Sequence, residues 1–64
     1  MNEPMRVIPQ SGFDYVNTGN PTVSVNPERI GVSWLNLTSG EIFICTDNTV
    51  GSNVWVGQKG TAVP

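Results

Sequence analysis

The chain has 64 residues, with five acids, three bases, no histidine, one cysteine and a net charge of −2. A domain this small buries a modest core and relies on disulfides, metals or partner chains for the rest; a single cysteine excludes an internal disulfide, and the absence of histidine or a cysteine pair removes the common zinc patterns, so partner chains remain. The three cations, Arg6, Arg29 and Lys59, are scattered, which excludes both the basic patch of a nucleic-acid binder and a polybasic membrane anchor.

Five prolines and seven glycines interrupt every window long enough for a helical apolar repeat. The β-formers fall in short runs between turn residues, so the expected fold is all-β. Residues 1–27 read as an extended N-terminal arm with short β segments. Pro4, Pro9, Pro21 and Pro27 fix the local backbone and remove ladder donors. Met1 to Gln10 has no apolar core of the kind a secretory signal carries. Ser11-Gly12 and Thr18-Gly19-Asn20-Pro21 are turn signals. Thr22 to Val25 alternates and is expected as an edge strand. Val7, Ile8, Phe13 and Tyr15 make the arm too apolar to leave in water. The arm should lie along its own sheet or along a neighbouring molecule, with Val23 and Val25 as further partner contacts.

Residues 28–58 read as a small three-stranded antiparallel meander, with strands at Gly31 to Asn36, Glu41 to Thr46 and Asn53 to Gly57. Leu37-Thr38-Ser39-Gly40 makes the first turn. Setting Asn36 opposite Glu41 derives the register: Trp34 faces Phe43, Val32 faces Cys45, Leu35 faces Ile42 and Ser33 faces Ile44. Val32, Trp34, Phe43 and Cys45 then share one side, and Leu35, Ile42 and Ile44 share the other. An antiparallel sheet with one wet face should alternate apolar and polar; here both faces are apolar. The arm can cover one face, and another chain is expected on the second. Ile42 to Cys45, the longest strongly apolar run, is too short to cross a bilayer. Residues 59–64 read as a flexible C-terminal tail.

The segment Gly31-Val32-Ser33-Trp34-Leu35-Asn36, then Ser39-Gly40-Glu41-Ile42-Phe43-Ile44-Cys45-Thr46-Asp47, then Gly51-Ser52-Asn53-Val54-Trp55 resembles a short β-module of tailed-bacteriophage virion proteins, including tail-fibre, head-fibre and decoration components. Its elements are packing and turn residues. The resemblance implies a structural protein located in the virion, as a minor capsid, decoration or fibre-base component. Its implied partners are capsid or tail and fibre subunits and copies of itself, with a trimer favoured by the symmetry of such assemblies. Trp34 and Trp55 would be core residues or contact anchors.

A carbohydrate-binding module is the alternative, with exposed Trp34 or Trp55 stacking on sugar in line with Tyr15. Cys45 has no basic neighbour in sequence and reads as a buried structural thiol. Asp47-Asn48-Thr49 and Asp14 with Asn17 lack the spacing of a calcium loop, and Asx-turns explain them. Catalysis is not expected: a general base would have to be one of five separated acids, and no phosphate loop or nucleophile elbow is present. No cofactor is expected.

Overall fold

The computed structural model describes residues 12–64. Among them there is no helix, and hence none long and apolar enough to cross a membrane. Five strands follow in chain order: β1 (Tyr15–Asn17), β2 (Ser33–Asn36), β3 (Ile42–Asp47), β4 (Val54–Gly57) and β5 (Ala62–Val63). They form one sheet in the order β1-β2-β3-β4-β5. The β1–β2 pair is parallel, and the other three pairs are antiparallel.

The three central strands lie within a residue or two of the expected ranges, and counting back from the turn gives the β2–β3 register. Ser33 faces Ile44, Trp34 faces Phe43 and Leu35 faces Ile42. Asn36 N–H donates to Glu41 O at 2.9 Å, and Gly40 N–H donates to Asn36 O at 2.8 Å, closing the turn. Gly40 sits at φ 73°, a region that glycine enters without a steric penalty. Between β3 and β4 the register shifts between Cys45 and Asp47, a bulge at Thr46. Such an extra residue bends and twists its strand.

Three expectations change. The meander is the centre of a five-stranded mixed sheet, because both flanking segments join it. Within the arm, Tyr15 to Asn17 pairs in parallel with β2, Tyr15 opposite Trp34 and Asn17 opposite Asn36. Parallel neighbours need a long crossover, and residues 18–32 supply it without a helix.

Thr22 to Val25 is not an edge strand. Val25 N–H points back to Thr22 O at 3.4 Å, Ser24 N–H donates to Thr22 Oγ1 at 3.4 Å, and Asn26 adopts φ 56°. This turn, set between buried Pro21 and Pro27, presses Val25 onto the core.

Residues 59–64 are not a loose tail. The chain reverses at Gly60 (φ 98°), and β5 pairs Val63 with Trp55 and Ala62 with Val56. The clamp on this turn is Glu41. Its side chain is buried, and Oε2 accepts from Lys59 N–H at 3.1 Å and Thr61 N–H at 3.3 Å.

Candidate functional site

Alternation along the strands sorts the side chains onto two faces. The closed face holds the core: Val32, Trp34, Phe43, Cys45 and Trp55, with Val25 and Val63 packed against it. The crossover lies over this face, and buried polar groups fasten it there. Trp34 Nε1–H donates to Gly19 O at 2.8 Å, and Trp55 Nε1–H donates to Thr22 O at 3.1 Å. Asn36 donates through Nδ2 to Asn20 Oδ1 at 2.7 Å and accepts at Oδ1 from Thr38 and Ser39 N–H at 2.8 and 3.1 Å. Asn53, fully buried, accepts from Asn26 N–H at 2.6 Å and donates to Thr49 O at 2.8 Å and to Asn26 Oδ1 at 3.2 Å. Its own N–H donates to Val23 O at 2.8 Å. A buried amide is tolerated when its bonds are made, and these are.

Of the residues expected to meet a partner, Trp34 and Trp55 are therefore core residues, 8% and 0% exposed. Their indoles pack edge to face at 5.9 Å. Neither ring offers a free face, so the sugar-stacking platform loses both of its tryptophans. Tyr15, 37% exposed, is stacked at a tilt on Trp34 with centroids 5.6 Å apart. Phe13, Val23 and Val25 are half-buried, with Val25 committed to the core. Val7 and Ile8 lie outside the described residues. The six described positions do not form one exposed surface, since the two tryptophans are buried and Val25 packs against their core.

The structure gathers another set. Val16, Leu35, Ile42, Ile44, Val56 and Ala62 share the open face, as their pairings Val16–Leu35, Leu35–Ile42, Ile44–Val56 and Val56–Ala62 require. Ile44 and Val56 are 41% and 48% exposed. A shallow groove of about 430 Å³ runs over β3 and β4, lined by Ile42, Ile44, Thr46, Val56, Gly57 and Gln58. No lining residue is charged. Apolar surface that is contiguous and uncovered marks an interaction site more often than scattered apolar residues do. Sequence counting had placed Leu35, Ile42 and Ile44 here; Val16, Val56 and Ala62 join through the flanking strands.

Charged groups stay at the margins. Asp14 Oδ2 accepts from Ser33 N–H at 3.0 Å and Ser33 Oγ at 3.2 Å, and Arg29 lies 3.4 Å from Oδ1. The Ser33 N–H bond, aided by the Ser33 hydroxyl and Arg29, outweighs partial desolvation and holds this carboxyl below its ordinary pKa. Asp47 Oδ1 accepts from Thr49 Oγ1 at 2.7 Å and Thr49 N–H at 2.9 Å, an Asx-turn that also lowers its pKa. A second, polar pocket of about 240 Å³ is lined by Asp14, Tyr15, Glu28, Arg29 and Val32. Cys45 is buried, and its thiol donates to Asp47 O at 3.3 Å. Among the described residues no three histidine, cysteine or acidic side chains cluster to hold a metal.

The roles of Asn36, Asn53 and Glu41 were not foreseen, although a signal was present. In Trp34-x-Asn36 and Asn53-x-Trp55, strand alternation puts each asparagine on the face of its tryptophan. The chain matches no protein-family model, no curated protein and no solved structure.

Proposed function

We propose that this protein is a structural component of a bacteriophage particle, a minor capsid, decoration or fibre-base subunit. It binds capsid or tail and fibre subunits through the open face of its sheet together with the N-terminal arm. Binding works by surface complementarity, with no catalytic step and no cofactor. Copies of the chain associate in the particle, with a trimer matching fibres and local axes of capsids. The resemblance of Gly31 to Trp55 to virion β-modules supplies the phage context. The observation that carries the binding role is the uncharged groove over Ile42, Ile44 and Val56, presented by a sheet whose other face is fully occupied. A flat apolar patch of this kind gains by excluding water against a partner.

The test is location and then contact. Antibody-gold labelling of purified particles should place the protein at one repeated position on the head or tail. In reconstitution with depleted particles, the Ile44→Lys/Val56→Lys chain should bind at least about tenfold more weakly than wild type, since a charge buried at an interface is costly. Particles that contain no copy of the chain would end the proposal.

A further inference from the structure

The polar pocket beside the starts of β1 and β2 shares no lining residue with the open-face groove. We propose that it is a binding site for one ring of a neutral saccharide, stacked on Tyr15 and held through its hydroxyls by Glu28 and Arg29.

The pocket is assembled from two separated segments. Asp14 and Tyr15 come from the start of β1, Glu28 and Arg29 from the end of the crossover, and the buried Val32 adds an apolar lining. Hydrogen bonds fix the two segments against each other. Asp14 N–H donates to Ser33 Oγ at 3.0 Å, Ser33 N–H donates to Asp14 Oδ2 at 3.0 Å, and Arg29 Nη2 donates to Asp14 Oδ1 at 3.4 Å. Asp14 is therefore a positioning residue. The Tyr15 ring is set by its stack on Trp34, whose indole is itself bonded to Gly19 O, and it keeps 37% of its surface. Trp34 backs the aromatic wall without being part of the binding surface.

The mixture of groups selects the ligand. A carboxylate only accepts hydrogen bonds and a guanidinium only donates them. Neighbouring hydroxyls on a sugar ring do both, so one ring can satisfy Glu28 and Arg29 together. Its carbon-bound hydrogens suit the electron-rich face of an aromatic ring. A simple anion would meet the carboxylates of Asp14 and Glu28, and an ammonium group on Glu28 would be repelled by Arg29 beside it. An apolar ligand would desolvate all three charges without pairing them. The volume, about 240 Å³, falls below the roughly 300–1,000 Å³ of pockets that enclose drug-sized molecules, which is room for one ring.

The test is independent of the particle reading, because it uses the isolated full-length chain. Amide spectra are recorded during titration with methyl glucoside, methyl galactoside and N-acetylglucosamine, with lysine amide and inorganic phosphate as charged probes. At least one sugar should give saturable shifts at Asp14, Tyr15, Glu28, Arg29 and Val32, with a Kd of about millimolar for so small a ligand. Tyr15→Ala should abolish them. Because Tyr15 also packs on Trp34, Glu28→Gln at an exposed position is the second variant, and it should weaken binding about tenfold through loss of a charged acceptor. The proposal is overturned by no saturable shift with any of the sugars at about 50 mM, well above the expected Kd. It is equally overturned by shifts centred elsewhere, by unchanged affinity in Glu28→Gln, or by lysine amide or phosphate binding as tightly as the sugars.

Discussion

The two faces of one sheet are built from alternate residues of the same strands, yet they behave as different materials. On the closed face Trp34, Phe43, Cys45 and Trp55 are packed beneath a crossover held by hydrogen bonds to indole and asparagine side chains. On the open face Ile44 and Val56 keep 41% and 48% of their surface. Hydrophobicity does not separate the faces, because both are apolar. Polar residues placed among the apolar ones do: Asn36, Asn53 and the two indole N–H groups give an irregular backbone somewhere to anchor. Among the described residues the open face has no buried asparagine or indole bonded to a covering segment, and Thr46 and Gln58 are the polar residues that line its groove.

The sharpest test of this contrast is a pair of neighbours on β4. Trp55→Ala removes a fully buried ring and should cost about 3–5 kcal/mol. That is comparable to the whole stability expected of a 64-residue domain, roughly 3–10 kcal/mol. Val56→Ala, one residue on, should stay within about 0.5 kcal/mol in the isolated chain. Urea titrations followed by circular dichroism measure both. A similar cost at the two positions would mean that the open face is already part of the core.

The anchors come next. Asn53→Ala leaves Asn26 N–H and Thr49 O without their partner and should cost about 3 kcal/mol, the upper range for buried groups left unpaired. Its amide-exchange signature should appear at Asn26 and Gly51, while Ile44 stays unchanged. Uniform loosening of the sheet would show that the crossover is not a separately held cover. Smaller again is Gly57→Ala. A Cβ there would come within 2.7 Å of Glu41 Cδ and 2.9 Å of Phe43 Cε2, an overpacking cost of about 2 kcal/mol. In a Glu41→Ala background the same change should cost clearly less, and a double-mutant cycle reads the coupling. Equal costs in both backgrounds would relieve Glu41 of its part in the close fit around Gly57 in β4.

The order in which these features could be read from sequence follows their locality. The β2–β3 register was legible to the residue, because a short turn ending in Gly40 leaves little choice of pairing. The β1–β2 pairing was not, because a parallel neighbour reached through residues 18–32 leaves no turn signal at the pair. Val23 and Val25 imitate a strand because alternation is also what a turn shows when it presents one valine to a core. The last six residues look featureless until Glu41, eighteen positions before Lys59, is known to receive Lys59 N–H. The open face was half legible: Leu35, Ile42 and Ile44 followed from counting, and Val16, Val56 and Ala62 needed the flanking strands.

The smallest predicted effect locates the charge. The bonds that hold the cover on the closed face join amides, indoles and carbonyls, none of which titrates in mild acid. The lowered carboxyls, Asp14 and Asp47, lie instead at strand ends, where Ser33 and Thr49 donate to them. A carboxyl whose folded pKa lies below its unfolded value of about 3.8–3.9 contributes stability above that value. The contribution is lost as pH falls through the folded value. The urea midpoint should therefore be flat from neutral pH to about pH 5 and decline modestly below about pH 4. Asp14→Asn/Asp47→Asn should flatten that decline. Both carboxylates are exposed, so the slope should be shallow, and tryptophan emission from the closed face should hold while the ends of β1 and β3 loosen. An acid transition that begins at the indoles would place the sheet's electrostatic weakness under the crossover and reverse the contrast between the faces.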